Sequence, residues 1–266
     1  MIPYPHINPE IFRIGPFDIG HYEVGPFAVR WYGLMYLIGF AASFLIVRHQ
    51  VRKKGLAFGD EFVETLYTYL ILGLLLGARI GYVLFYNAGY YWEHPLEVFA
   101  ITQGGMSFHG GFIGVVLGGL LFCRKYKSDV WMIADLVAVT APIGLGLGRI
   151  GNFINGELYG RVTDVPWAMI FPGESLPRHP SQLYEFFLEG VVLFVIMWML
   201  KGRFRSGVLF SLFLILYGVF RTISEFFRQP DPQIGYILGI ITMGQILSVL
   251  MIAAGTGLFL LRNRRQ

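Results

Sequence analysis

Seven stretches of the chain are apolar over close to the ~20 residues that a helix needs to cross the hydrocarbon of a bilayer. They run over Phe27–Val47, Phe62–Tyr86, Ser107–Cys123, Val130–Leu147, Leu183–Leu200, Val208–Ile223 and Ile237–Leu261, with short polar segments between them. This pattern predicts an all-α, polytopic membrane protein of about seven transmembrane helices. It forms one membrane-embedded domain over 1–266 with a small polar outer-face region at about 149–182. The third span carries Gly110, Gly111, Gly114, Gly118 and Gly119, and the fourth leads into Gly144, Gly146 and Gly148. Small residues let helix backbones approach closely in lipid, so packing is the simplest role for these glycines.

Composition agrees with the pattern. Of 266 residues, 55% are hydrophobic and only 14% charged, against about 25% charged in a soluble domain. The net charge of +4 does not point to nucleic acid, because the basic residues sit in short patches between apolar runs. Cys123 is the single cysteine, so no intramolecular disulfide forms. Residues 1–25 show no basic start followed by an apolar core, so no secretory signal is expected there.

Charge then orients the spans. Arg48, Arg52, Lys53 and Lys54 follow the first span, and Arg124, Lys125 and Lys127 follow the third. Lys201, Arg203 and Arg205 follow the fifth, and Arg262, Arg264 and Arg265 form the tail. The alternate loops hold Glu93 and Glu97, then Glu157, Asp164 and Glu174, then Asp231. The positive-inside rule therefore places the N-terminus outside and the C-terminus in the cytoplasm.

The remaining basic residues are all arginines: Arg13, Arg30, Arg79, Arg149, Arg161, Arg178, Arg221 and Arg228. Arg13 lies in the N-terminal tail, and Arg30 is placed to snorkel at the start of the first span. Arg79 lies within the second span, where pairing with an acid is the alternative to a function. Arg149 and Arg221 lie near the outer ends of the fourth and sixth spans. Intramembrane charges are expensive and usually mark function. A guanidinium presents a planar fork that matches phosphate or carboxylate and never loses its charge. The alternative is internal pairing, Arg221 with Glu225 four residues on and Arg149 with Glu157.

Five motifs carry candidate chemistry. Gly148 to Arg161 (GRIGNFINGELYGR) packs two arginines, two asparagines and a glutamate against the end of a span, and Gly151 and Gly156 permit irregular backbone there. Gly104 to Gly111 (GGMSFHGG) places His109 among glycines, where its ring is accessible and able to exchange a proton near neutral pH. Tyr217, Arg221, Glu225 and Arg228 repeat on one helical face. Arg178-His179-Pro180-Ser181-Gln182-Leu183-Tyr184-Glu185 precedes the fifth span, and part of it reads as a helix start. Arg30-Trp31-Tyr32-Gly33 opens the first span with interfacial aromatics. No clustered metal ligands and no phosphate loop or dinucleotide fingerprint are evident, so neither metal nor cofactor is expected.

Taken together, these motifs resemble those of the bacterial prolipoprotein diacylglyceryl transferases, in the same order and over nearly the whole chain. The run Gly148 to Gly160 is the most specific; Trp31-Tyr32-Gly33, His109-Gly110-Gly111, His179-Pro180-Ser181-Gln182 and Tyr217 to Arg228 accompany it. The resemblance implies transfer of the diacylglyceryl group from phosphatidylglycerol to a cysteine thiol in a prolipoprotein signal peptide. The product is a thioether, and glycerol phosphate leaves. It further implies catalytic roles for Arg149, Arg221 and His109. Tyr32, Arg149, Asn152, Glu157, Gly160, Tyr217, Glu225 and Arg228 are implied as substrate contacts. The implied setting is the bacterial plasma (inner) membrane, with the site toward the outer side and with membrane lipids as neighbours.

The chemistry suits the residues. Paired guanidinium groups would stabilise charge gathering on a phosphate leaving group. A free cysteine has a pKa near ~8.5, so either a base such as His109 or the field of the arginines is needed to raise the thiolate fraction. Cys123 adjoins Arg124 and Lys125 on the cytoplasmic side, so the substrate must supply the sulfur. A transporter for an anionic lipid or carboxylate is the competing reading, but it expects charges near the midplane and broken helices. A non-catalytic scaffold would leave the outer arginines unexplained.

Overall fold

The computed structural model describes residues 2–20, 22–53, 59–100, 104–230, 235–237 and 241–263. Lys54, Asp231, Arg264 and Arg265, which enter the orientation reading, lie outside them, as do residues 238–240 of the last expected span. The principal helices are α1 (Trp31–Lys53), α2 (Asp60–Tyr86), a short α3 (Ala88–Glu93), α4 (Phe108–Tyr126) and α5 (Val130–Asn155). After a long loop come α6 (Ser181–Glu185), a π-helical segment (Phe186–Val192) and α7 (Leu193–Leu200), which together form one continuous rod. The chain closes with α8 (Val208–Glu225) and α9 (Met243–Asn263).

Six of these rods are long and apolar enough to cross a membrane: α1, α2, α5, the α6–α7 rod, α8 and α9. The other expected span, the third, is the 19-residue helix α4, which is not among those six. Large apolar side chains such as Leu37, Leu76, Leu84, Phe112, Val249 and Leu250 are exposed rather than buried. That inversion suits a hydrocarbon solvent, where an exposed leucine costs nothing. The fold is that of a polytopic, mostly helical membrane protein.

Three span boundaries differ from expectation. Phe27–Arg30 is not helical but forms β4, antiparallel to β1 (Glu10–Ile14), with Glu10 opposite Arg30. Arg30 therefore sits on a strand, 3.6 Å from the Glu10 carboxylate, and Arg13 pairs with the same carboxylate at 2.7 Å. A second hairpin, β2 (Phe17–Ile19) with β3 (Tyr22–Val24), lies between them. The last helix begins at Met243 because Tyr236–Ile237 (β5) pairs with Ile241–Thr242 (β6). The fourth span runs on as helix to Asn155, through Gly148 and Gly151. Apolar runs alone cannot show where a helix stops when polar side chains find partners beyond the run.

The described residues divide into two compact units, 1–43 with 137–266, and 44–136. In the second unit, α2 and α4 are held by a ladder of glycines. A Cβ built on Gly77 would lie 2.7 Å from the Gly114 Cα, and one on Gly81 would lie 2.8 Å from the Gly110 Cα. Backbones this close leave no room for any side chain. Ser107 caps α4 through its hydroxyl, which accepts from the Gly110 N–H at 3.2 Å. Arg79, buried in α2, pairs with no acid among the described residues. Its guanidinium donates to the carbonyls of Val98 (2.7 Å), Gly104 (2.8 Å), Gly105 (3.1 Å) and Glu97. It stands 5.1 Å over the Tyr91 ring. It staples the loop that leads into α4.

In the first unit, α1 meets α5 where Gly39 faces Gly144 and the Ser43 and Thr140 hydroxyls bond at 2.7 Å. A Cβ on Gly190 would lie 2.8 Å from the Gly146 Cα, so the π segment presses on α5. Gly156, with φ at +67°, ends α5 in the left-handed region that favours glycine. Two of the orphaned carbonyls at that helix end are satisfied by Tyr4, whose hydroxyl donates to Phe153 at 2.6 Å and Ile154 at 3.1 Å. Two further arginines serve the loop between α5 and α6: Arg178 pairs with Glu174 at 2.8 Å, and Arg161 donates to the Arg228 carbonyl at 2.9 Å.

Two predictions follow from these contacts. Gly77→Ala forces the α2 and α4 backbones apart and is expected to cost roughly 1–3 kcal/mol, as overpacking does. Gly89→Ala, with nothing within 4 Å of its Cβ, is expected to be near neutral; thermal unfolding in detergent compares them. The Tyr159 hydroxyl and the Arg178 guanidinium hold the Glu174 carboxyl below its ordinary range. Its contribution is therefore present above the usual carboxylate pKa and is lost as pH falls through the lowered value. Hydrogen exchange in residues 158–178 is expected to quicken over that acid window, and Glu174→Gln to remove the pH dependence.

Candidate active site

Three helical rods of the first unit bring polar side chains together, each pair spaced three or four residues apart on one helical face. The α6–π rod supplies Glu185 and Glu189, and α8 supplies Arg221 and Glu225. The last turns of α5 supply Arg149 and Asn152. Glu185, Glu189, Arg221 and Glu225 are all buried, at 1%, 0%, 8% and 4% exposure. Charges so far from water persist only when paired.

The pairing is specific. One oxygen of Glu185, Oε2, lies 2.6 Å from Arg149 Nε and 2.8 Å from Arg221 Nη1. The second terminal nitrogen of Arg221, Nη2, lies 2.8 Å from Glu225 Oε2. The other Glu225 oxygen accepts from the Thr242 hydroxyl at 3.0 Å. Gly244 allows that seat, since a Cβ there would stand 2.7 Å from the Glu225 carboxylate. Glu189 is more remote, at 3.6 Å from Arg221 Nη1 and 3.9 Å from Arg149 Nη2.

Arg149 is the more open of the two arginines, with 20% of its side chain exposed against 10% for Arg221. Its Nε is committed to Glu185, while Nη1 makes only a 3.5 Å contact with Asn152 Oδ1. Its terminal edge is therefore the part of the cluster least committed to protein acceptors, and it suits a planar or tetrahedral anion.

Around this centre the expected residues fall into place unevenly. Asn152 donates to Glu157 at 2.9 Å, and Asn155 donates to the same Oε1 at 3.1 Å. Glu157 is thus bound by amides, and Arg149 pairs with Glu185 rather than with Glu157, the partner considered as the alternative to a functional role. The pairing of Arg221 with Glu225, considered as the alternative to a functional role, is present. Gly151 does not break the helix. It admits Tyr32, whose ring carbon would meet a Cβ there at 2.7 Å, and the Tyr32 hydroxyl lies 3.1 Å from that of Tyr36. Tyr217, one turn below Arg221, stacks on Phe213 at 5.9 Å.

One expectation needs correction. Arg228 does not continue the α8 face, because α8 ends at Glu225 and Arg228 forms a bridge to Gly160. Gly160 itself marks a chain crossing: its N–H donates to the His179 carbonyl at 2.8 Å, and a Cβ would lie 2.7 Å from the His179 Cβ. His179 sits beside Tyr184, its Nδ1 at 3.0 Å from the hydroxyl, and burial pushes its pKa down. His109 is the second residue of α4, in the other compact unit, and is exposed.

Two residues of the cluster, Glu185 and Glu189, are not among the candidates that the sequence motifs supply: Glu185 there belongs to a helix start, and Glu189 to no motif. The signal was present, since two acids four apart inside an apolar rod are intramembrane carboxylates and expensive for that reason.

Comparison with known proteins bears on this geometry. The family model described as prolipoprotein diacylglyceryl transferase matches residues 20–261. A phosphatidylglycerol–prolipoprotein diacylglyceryl transferase of Desulfotalea psychrophila is 53% identical over 263 residues, covering 96% of this chain and 97% of that protein. The proteins of the same name from Geobacter sulfurreducens and Shewanella oneidensis are each 51% identical, covering 99% of this chain and 98% of theirs. The chain belongs to the prolipoprotein diacylglyceryl transferase family.

Proposed function

We propose that the chain moves the diacylglyceryl group of phosphatidylglycerol onto the cysteine thiol of a prolipoprotein signal peptide. The support is the family membership together with the names of its relatives. The observation that carries the mechanism is the Arg149–Glu185–Arg221 bridge, in which one buried carboxylate oxygen holds two guanidinium groups from different helices.

In the proposed step, the thiolate sulfur bonds to the terminal glyceryl carbon. The carbon–oxygen bond to phosphate breaks, and its electron pair leaves on the oxygen of glycerol phosphate. The thiol proton passes to a base, for which His109 is the candidate. Arg149 and Arg221 bind the phosphate and stabilise the charge it gains. Glu185 is a positioning residue that fixes both forks. Tyr32, Asn152, Glu157, Gly160, Tyr217, Glu225 and Arg228 shape the surrounding walls. In this reading the whole chain acts as one membrane-embedded transferase of about seven spans, N-terminus out and C-terminus in. It resides in the inner membrane with its site toward the outer side, which keeps Cys123 at the cytoplasmic side and out of the chemistry.

The test is incubation of purified protein with labelled phosphatidylglycerol and a cysteine-bearing lipobox peptide, reading label transfer by mass. Arg149→Ala and Arg221→Ala are each expected to lower turnover by about 10²–10³ or more, the scale of one oxyanion donor. The corresponding lysine variants should remain poor, because an ammonium cannot fork. Near-normal turnover in both alanine variants would remove the anion clamp from the mechanism. Lipid flux in proteoliposomes without covalent product would favour transport instead. For His109→Gln, the expected result is loss of turnover near neutral pH with partial recovery at high pH, where the thiol ionises unaided.

A further inference from the structure

Glu189 is the most deeply buried acid of the cluster, at 0% exposure, and neither of its oxygens has a hydrogen-bond partner among the described residues. A buried carboxylate normally gathers hydrogen bonds or close ion pairs. Glu185, one turn away, does so at 2.6 and 2.8 Å, whereas the nearest guanidinium nitrogens stand 3.6 and 3.9 Å from Glu189. Its place is also fixed by an uncommon device. It lies in the π-helical segment, a geometry frequent at functional sites, and adjoins Gly190, which packs on Gly146 of α5.

The charges around it leave little room for another anion. Arg149 of α5 and Arg221 of α8 face Glu185, Glu189 and Glu225, so two cations meet three acids. Tyr217 of α8 and Arg228 beyond its end also lie within electrostatic reach of Glu189. Counting Arg228 balances the group; leaving it out gives an excess of one negative charge. Under either count, a phosphate monoanion on the arginines adds a negative charge in a low-dielectric site. One acid must then give up its charge, and the one with no hydrogen bonds to lose is Glu189.

We propose that Glu189 takes up one proton when an anionic phosphate settles on the Arg149–Arg221 pair, so that donor binding is coupled to protonation of this carboxyl. The inference rests on the reading of the cluster as the site for the lipid phosphate. Neutralising Glu189 removes its competition for the two guanidinium groups and leaves their full charge directed at the ligand.

Calorimetric titration of the full chain in detergent with short-chain phosphatidylglycerol, in two buffers of different ionisation enthalpy, counts the protons taken up. For the unaltered protein the expected count approaches one per bound lipid near neutral pH, with affinity falling by up to about tenfold per pH unit on the alkaline side. For Glu189→Gln, binding is expected to persist with no uptake and no such slope. If that variant does not fold, Glu189→Leu, which fills the space without a titratable group, replaces it. Neutral diacylglycerol is expected to give no uptake. Binding without uptake in the unaltered protein, or unchanged uptake in the Glu189 variant, overturns the coupling while leaving the donor assignment standing. Failure of the unaltered protein to bind the lipid at all overturns both.

Discussion

A single carboxylate oxygen, Oε2 of Glu185, holds the site together by drawing Arg149 and Arg221 to within ion-pair distance from two different helices. Either guanidinium alone at this depth would be an unpaired charge in an apolar interior, costing several kcal/mol. Removing the shared acid would leave Arg149 with only the more distant Glu189, and Arg221 with Glu225 as its close partner. The interaction is also geometric: by taking Nε of one fork and Nη1 of the other, Glu185 leaves the terminal nitrogens of Arg149 with only longer contacts, to Asn152 at 3.5 Å and Glu189 at 3.9 Å. Buried ion pairs are weak evidence for stability, since apolar replacements often fold as well.

The rest of the first unit can be understood as the means of keeping that oxygen in place. Gly146 and Gly190 allow α5 and the π segment to touch backbone to backbone, which brings Glu185 and Glu189 up to Arg149. Gly244 leaves space for the Glu225 carboxylate, which in turn fixes the second edge of Arg221. Tyr4 and Gly156 finish α5 cleanly, so that Asn152 and Glu157 meet just beyond the arginine. The second unit shows the same economy with different parts. There a glycine ladder joins α2 to α4, and Arg79 uses its donors on backbone carbonyls rather than on an acid. Arginine in a membrane is thus accommodated in two ways in one chain, by buried acids and by backbone carbonyls.

Much of this was legible in the sequence. Apolar runs gave the helices to within a few residues wherever polar flanks bounded them, as at α2 and α8. The boundaries that slipped did so where the same apolar composition serves a strand, at Phe27–Arg30, or where polar residues continue a helix because tertiary partners accept them, at Gly148–Asn155. Arg149 and Arg221 stood out because a charge beside hydrocarbon needs a reason. Glu185 and Glu189 bear the same mark but were overlooked, since one sat beside a plausible helix cap and the other had no recognisable motif around it.

By itself the sequence determined the membrane solvent, the helical class, the family and the two arginines most in need of an explanation, because each of these follows from local residue type and spacing. The tertiary structure alone decided which acid holds those arginines. Thirty-six residues separate Arg149 from Glu185 and another thirty-six separate Glu185 from Arg221, and several acids in between were equally available by charge. Helix contacts set by glycine at Gly146 and Gly190 settled the choice, because only where backbones can approach so closely do side chains from separate rods reach one oxygen.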